Sequence, residues 1–384
     1  MKMLIYNVNI YPDDKDVYRN GSLLIEDGKI SAISREKMEV KDAESLDGQG
    51  MNLLPGYIDV HVHGGYGHDF LEEPAIAVET FSRKTVQEGC TAYLASFISD
   101  QQNILIESMK RFAQLPQYPG AECLGIHMEG PFLSPARVAV MKPNTLREPS
   151  MQQFREMIES SQGKIRQMTI APELPEALEL IEYGTKKQIK MMMGHSEANV
   201  AQAKRAIEKG AFGLTHMYNA MGQHEHRSPG LVTAGMLYDE LICELITDGF
   251  HVDPAVLLVT FKFMKERIAI ITDATLMREL PDGEYEFSGH LVRKQGIHTT
   301  TVANGTLAGS AVTMDEAVRT FKKITDCTLN DIVLMASINP AKIAGCSERK
   351  GQLKKGYDAD LILLDDELRV KKTFVRGERV FGQE

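Results

Sequence analysis

The chain is short of the features that would place it outside the cell, in a membrane or on nucleic acid. Its five cysteines, Cys90, Cys123, Cys243, Cys327 and Cys346, are odd in number, widely spaced and free of any Cys-x-x-Cys pair, which argues against a disulfide framework or a structural zinc knuckle. They read as core thiols of a protein in a reducing cytoplasm. No run of about 18 uncharged apolar residues occurs, so no membrane span is expected. The opening MKMLIYNVNIYPDDKD has no basic segment followed by a sustained apolar stretch, so it does not read as a signal peptide. Basic excess is missing as well: 43 Lys and Arg against 53 Asp and Glu give a net charge of −10, with no broad footprint for nucleic acid. Low-complexity segments and short repeats are lacking, and 43% apolar with 25% charged residues is the balance of a soluble globular enzyme.

The 384 residues suit a barrel of about 250 residues plus an accessory unit. Eight short apolar, β-branched runs lie at 57–63, 91–97, 123–130, 165–173, 189–196, 212–219, 241–249 and 267–274, separated by stretches of helical period such as 75–89, 173–187 and 199–210. Eight strand–helix alternations read most simply as a closed parallel (β/α)8 TIM barrel. The ends differ. Residues 3–10 and 22–33, with Asp27-Gly28 as a tight turn, and 357–381, with turns at Asp365-Asp366 and Arg376-Gly377, look like antiparallel strands. Neither end can bury a sheet alone, so both are expected to pair into one small β-sandwich domain of residues 1–54 and 350–384, around a barrel of 55–349. Helices are expected at 313–325 and 329–345, and the Gly-rich stretch 283–310 should form a hairpin and an active-site loop.

The ligand-type side chains fall at one place in this pattern. His61, His63, Glu129, His195, His216 and Asp273 all stand at or near the C-terminal ends of expected strands, the face on which barrels build active sites. His61 and His63, two apart on a strand, point the same way. Four imidazoles and two carboxylates at one mouth would be a costly polar cluster without a cation, and imidazole suits zinc or iron. Asp273 has a separate physical case: attack by a metal-activated water on an amide needs a group to take the water's proton and return it to the leaving amine.

In order and spacing, PGYIDVHVHG (55–64), GIHMEGPFL (125–133), GHSEAN (194–199), THMYNAM (215–221), ITDGFHVD (246–253) and TDA (272–274) resemble the successive strand-end motifs of the N-acetylglucosamine-6-phosphate deacetylases, within the amidohydrolase superfamily. LAGSAVTMDEAV (307–318) and GYDADLILLD (356–365) extend the likeness to essentially the whole chain. The resemblance implies hydrolysis of the N-acetyl group of a phosphorylated amino sugar. Glu129, His195 and His216 match constant metal ligands, while His61 and His63 match a pair in members that hold a second ion, with Glu129 bridging. One or two divalent ions, zinc or iron, are thus implied, with Asp273 as general acid/base. Asn219 and Ala220, largely by backbone amides, and His226 and Arg227 match sugar-phosphate contacts. Arg227 would be supplied across a homodimer interface, and its planar fork suits phosphate. His251 matches a residue that contacts the sugar. His127, two before Glu129, reads as support and not as a ligand.

One departure stands out. Where the family usually ends a segment in Gly-Ala-His, this chain has ARVAVMK (136–142), with Met141 at the histidine's place. A thioether cannot donate a hydrogen bond to the acetyl carbonyl, and losing such a donor typically costs about 10² to 10³ in rate. Either another group, Lys142 being the nearest, supplies it, or activity is low, or the substrate differs. A second reading, cyclic-amide or dipeptide hydrolysis, is disfavoured because a bridging carboxylated lysine on the fourth strand has no counterpart in IRQMTIAPE (165–173). A third, a decayed binding protein, sits poorly with intact ligands and Asp273.

Overall fold

The structure, a computed structural model, describes residues 2–382. Eight parallel strands follow one another in chain order around a single sheet: Tyr57–Val62, Cys90–Ile98, Glu122–Glu129, Ile165–Ile170, Lys190–Met193, Gly213–Leu214, Ile242–Ile246 and Ile268–Ile271. Strand eight returns to strand one. The Asp273 amide donates to the His61 carbonyl at 2.9 Å and the His63 amide to the Ala274 carbonyl at 2.7 Å, so a (β/α)8 barrel closes at its C-terminal rim. The sixth strand is only two residues long; the expected run 212–219 leaves the sheet at Thr215 and carries His216 in a loop.

Helices alternate with these strands because their sequences bury one stripe and start on recognisable caps. Asn199 and Gln202 form a capping box before Val200–Glu208, and Asp253 caps Pro254–Met264, which has proline in its first turn. The segment 75–89 is an α-helix to Lys84 and then a 3-10 turn that ends at Gly89. The final helical stretch spans Leu329–Ile343 with a π-helical middle, Leu334–Ile338.

Strands from both termini form a second eight-stranded sheet. Asn52–Pro55, which the sequence pattern had not singled out, joins its halves, pairing parallel with Lys2–Ile10 and antiparallel with Leu361–Leu364. The sheet curls back on itself: the Ile30 amide donates to Tyr357 O and the Ala359 amide to Gly28 O, both at 2.9 Å. Inside lies a separate sandwich core that includes Ile5, Ile10, Leu23, Leu361 and Phe374. The stretch 283–310 holds a three-stranded antiparallel sheet, Gly283–Phe287, His290–Gln295 and His298–Thr301, followed by a loop that returns to Asp273.

Candidate metal centre and active site

Strand one delivers His61 and His63 to the mouth, where their Nε2 atoms lie 3.3 Å apart. Glu129 ends strand three between the other groups. Its Oε1 is 3.0 Å from His216 Nε2, 3.2 Å from His195 Nε2 and 3.4 Å from His61 Nε2, and its Oε2 is 3.3 Å from His63 Nε2. Asp273 Oδ1 completes the group, 3.3 Å from His63 and 3.5 Å from His61. The donors fall into two compact sets, His61 with His63 and Asp273, and Glu129 with His195 and His216, each with ligand atoms within 4.8 Å of one another.

Backbone strain accompanies this convergence. His195, His216 and Asp273 have φ of 46°, 30° and 49°, the left-handed region that disfavours residues with a Cβ. Gly309 lets the following loop close on the last of these. With φ +60°, it lies where a Cβ would come within 2.7 Å of Asp273 O, and the next residue's amide donates to that same oxygen at 2.8 Å.

The hydrogen-bond roles show what the cluster requires. His195 Nδ1 is 2.8 Å from the Arg137 carbonyl, an acceptor, so a neutral His195 carries its proton there and presents a lone pair at Nε2. That lone pair faces the Glu129 carboxylate, another acceptor. His61 is arranged likewise, with Nδ1 3.0 Å from Glu244 Oε2. Lone pairs and carboxylate oxygens that converge at 3.0–3.5 Å repel one another unless positive charge is placed between them. Without metal, protons fill that role. Burial would push both imidazoles down, but Asp273 and Glu129 raise His61 well above its ordinary value and hold His63 at about 9. Burial alone would likewise raise Glu129, yet His61, His195 and His216 keep it well below the carboxylate range. The donor set therefore fits divalent cations.

Other buried side chains brace the ligands. His127 spends both nitrogens on hydroxyls, Ser96 at 2.9 Å and Thr169 at 2.8 Å, which leaves none for a metal. Glu244, in the middle of strand seven, receives His61 Nδ1, the His216 amide at 3.3 Å and the side chain of Gln167. Asp248 holds His251 Nδ1 at 2.7 Å and accepts from the amides of Phe250 and His251, so that imidazole is fixed while its buried Nε2 has no partner. Sequence reading passed over Glu244 and Asp248; the signal was an acidic residue inside an otherwise apolar strand, ICELI, and one at its exit.

Above the cluster opens a cavity of about 550 Å³, the size range of small-molecule sites. Asn219, Ala220 and His251 line it with His63, Glu129, His195, His216 and Asp273, and Phe287 from the hairpin closes one side. Met141, 2% exposed, is also in the wall. Lys142 is not: its ammonium lies 3.6 Å from Asp100, and its stem passes the glycine turn at Gly289. Arg137 is the cationic side chain in the lining, and it pairs with Glu197 at 2.5 Å. His226 and Arg227 stand apart from the cavity, exposed on the loop before the helix Leu231–Leu237, with His226 Nδ1 on Glu225 at 2.6 Å.

Residues 52–380 match the sequence model of the amidohydrolase family. The chain is 34% identical to N-acetylglucosamine-6-phosphate deacetylase of Bacillus subtilis (strain 168), over 99% of this chain and 97% of that protein. It is 36% identical to N-acetylgalactosamine-6-phosphate deacetylase of Escherichia coli O157:H7, over 93% of each. Among solved structures, N-acetylglucosamine-6-phosphate deacetylase from Pasteurella multocida superposes with a TM-score of 0.91 at 30% identity, covering 99% of both chains. A mutant of the Mycobacterium smegmatis deacetylase in complex with N-acetyl-D-glucosamine-6-phosphate superposes with a TM-score of 0.90 at 28% identity, again over 99% of both.

Proposed function

The chain belongs to the amidohydrolase family, and from that premise we propose that it hydrolyses the N-acetyl group of N-acetylglucosamine 6-phosphate to glucosamine 6-phosphate and acetate. The observation that carries this reading is the convergence of four imidazoles and two carboxylates beneath one cavity, in a chain that aligns end to end with such deacetylases.

Glu129, His195 and His216 would hold one divalent cation, and His61 with His63 a second, with Glu129 between them; imidazole-rich ligation favours zinc or iron. A cation held there supplies Lewis acidity toward the acyl oxygen and brings the pKa of a water to about 7. Asp273 faces the same point. Its Oδ1 lies 3.3 Å from His63 Nε2 and 3.5 Å from His61 Nε2, so the carboxylate is placed to take the proton of a water held at that point. It then returns that proton to the departing amine. His251 Nε2, buried without a partner in the wall, is available to a sugar hydroxyl, and Asn219 and Ala220 to the remaining polar edge.

His226 and Arg227 fit the phosphate only if a second copy brings them to the cavity. A homodimer is supported by apolar side chains left exposed on two helices that follow that loop, Leu237 on Leu231–Leu237 and Val259 and Phe263 on Pro254–Met264, which are 60%, 57% and 63% exposed. Cytoplasmic residence is supported by five cysteines that are all free thiols. Among the described residues no helix is long and apolar enough to cross a membrane.

The 36% identity to a deacetylase of the C4 epimer supports a second reading, the galacto substrate. Steady-state assay of both epimers, with the protein loaded in turn with zinc, iron and cobalt, tests both. Turnover of neither overturns the reaction; a preference for the galacto epimer overturns only the sugar.

A further inference from the structure

We propose that Glu244 is a positioning residue that sets the affinity of the His61 end of the site for its cation. The inference rests on the two-ion reading given above. Glu244 is fully buried in strand seven, in the middle of the barrel and beneath the ligand cluster. A carboxylate so placed is expensive to keep unless a cation pairs with it or its oxygens find donors. No lysine or arginine pairs with it among the described residues. Its partners are His61 Nδ1 at 3.0 Å, the His216 amide at 3.3 Å and the amide nitrogen of Gln167. Among the ligand side chains, the one the carboxylate meets is therefore that of His61.

That contact has a defined effect. By accepting a hydrogen bond from Nδ1–H, Glu244 fixes the His61 tautomer and turns the Nε2 lone pair toward Glu129 and Asp273, which lie 3.4 and 3.5 Å away. A carboxylate behind a ligating imidazole also raises its basicity. The other imidazoles lack this support. His195 leans on a backbone carbonyl, and the buried Nδ1 atoms of His63 and His216 have no partner. Anionic backing is thus given to one ligand of the four, and Gln167 and the His216 amide hold the carboxylate in place behind it.

The test reads metal affinity, not turnover. Apo protein prepared by chelation is titrated with Zn2+ in competition with a fluorescent chelator, for wild type, Glu244→Gln, Glu244→Leu and His61→Asn, with circular dichroism and thermal unfolding to establish that each is folded. Removing such a support typically weakens binding about 10- to 100-fold. In Glu244→Leu one of two dissociation constants should rise by that factor and the other stay near wild type. Glu244→Gln, which keeps an acceptor and loses the charge, should shift the same constant less, and it carries the test should the leucine variant not fold. Glu244→Leu added to His61→Asn should have no further effect. Two wild-type constants in both Glu244 variants overturn the assignment, and an equal loss of both overturns its restriction to the His61 end. A wild type that binds a single equivalent overturns the two-ion reading and, with it, this inference.

Discussion

The barrel carries a polar cluster around a buried side chain at each end, Lys350 at one and Glu129 at the other, and the two are built on opposite plans. At the N-terminal end, Glu122 opens strand three and meets Arg349 through two hydrogen bonds of 2.7 and 3.0 Å, Lys350 at 2.9 Å and Arg376 at 2.8 Å. Lys350, 1% exposed, also reaches Asp358 at 3.2 Å and Asp360, which ties the terminal strands to the barrel. Every charge there meets its opposite. At the mouth, no lysine or arginine pairs with Glu129 or Asp273 among the described residues. Imidazoles face carboxylates and one another, three backbones are in the left-handed region, and the buried nitrogens His63 Nδ1, His216 Nδ1 and His251 Nε2 lack partners. A cluster that serves the fold closes on itself; one that serves chemistry leaves a demand that something from outside must meet.

The contrast can be broken at either end. The largest effect expected is at the mouth, where Asp273→Asn should lower kcat by about 10² to 10⁴ with metal content by mass spectrometry unchanged; near-wild-type turnover would remove the proton-transfer role. Lys350→Met should lower the unfolding free energy in urea by about 3–5 kcal/mol, because three carboxylates lose a buried partner, while kcat and KM of the folded protein stay the same. A folded Lys350→Met enzyme without activity would erase the separation of roles. Arg227→Ala should raise KM for the phosphorylated sugar roughly 10- to 100-fold, the worth of a lost charged contact of about 1.5–3 kcal/mol, and leave an unphosphorylated N-acetyl sugar unaffected. Equal effects on both substrates would remove the phosphate contact.

The smallest effect concerns acid stability at the floor. Burial would raise the Glu122 carboxyl, but Arg349, Lys350 and Arg376 hold it well below its ordinary value near 4.5. A carboxyl depressed in the folded state adds stability that is present above the unfolded pKa and is lost as pH falls through the folded one. Wild type should therefore lose stability more steeply than Glu122→Gln from about pH 4.5 downward in urea unfolding; parallel curves would show that Glu122 is not what acid attacks.

How far these clusters could be read in advance differed for a physical reason. The strand-end residues His61, His63, Glu129 and Asp273 were legible because each closes an apolar β-branched run, and His195 and His216 because each follows one directly. Asn52–Pro55 escaped because four residues carry too little period to register, although that strand joins the two termini. The floor cluster escaped because its members look like ordinary surface charges until Glu122 and residues 349–376 meet. Lys142 was nearest in sequence to the missing donor, but its side chain turns to Asp100.

By itself the sequence determined the barrel, the curled terminal sheet and the rim on which the ligand-type residues stand, since alternating apolar periods specify strand and helix and a right-handed βαβ order puts every strand end on one face. Only the tertiary structure decided that Glu244 backs His61, that Asp248 fixes His251, that Met141 lies in the cavity wall, and that His226 and Arg227 stay outside it. Those contacts join groups as much as 183 residues apart. They depend on the radius and stagger of the closed barrel, which no local pattern encodes.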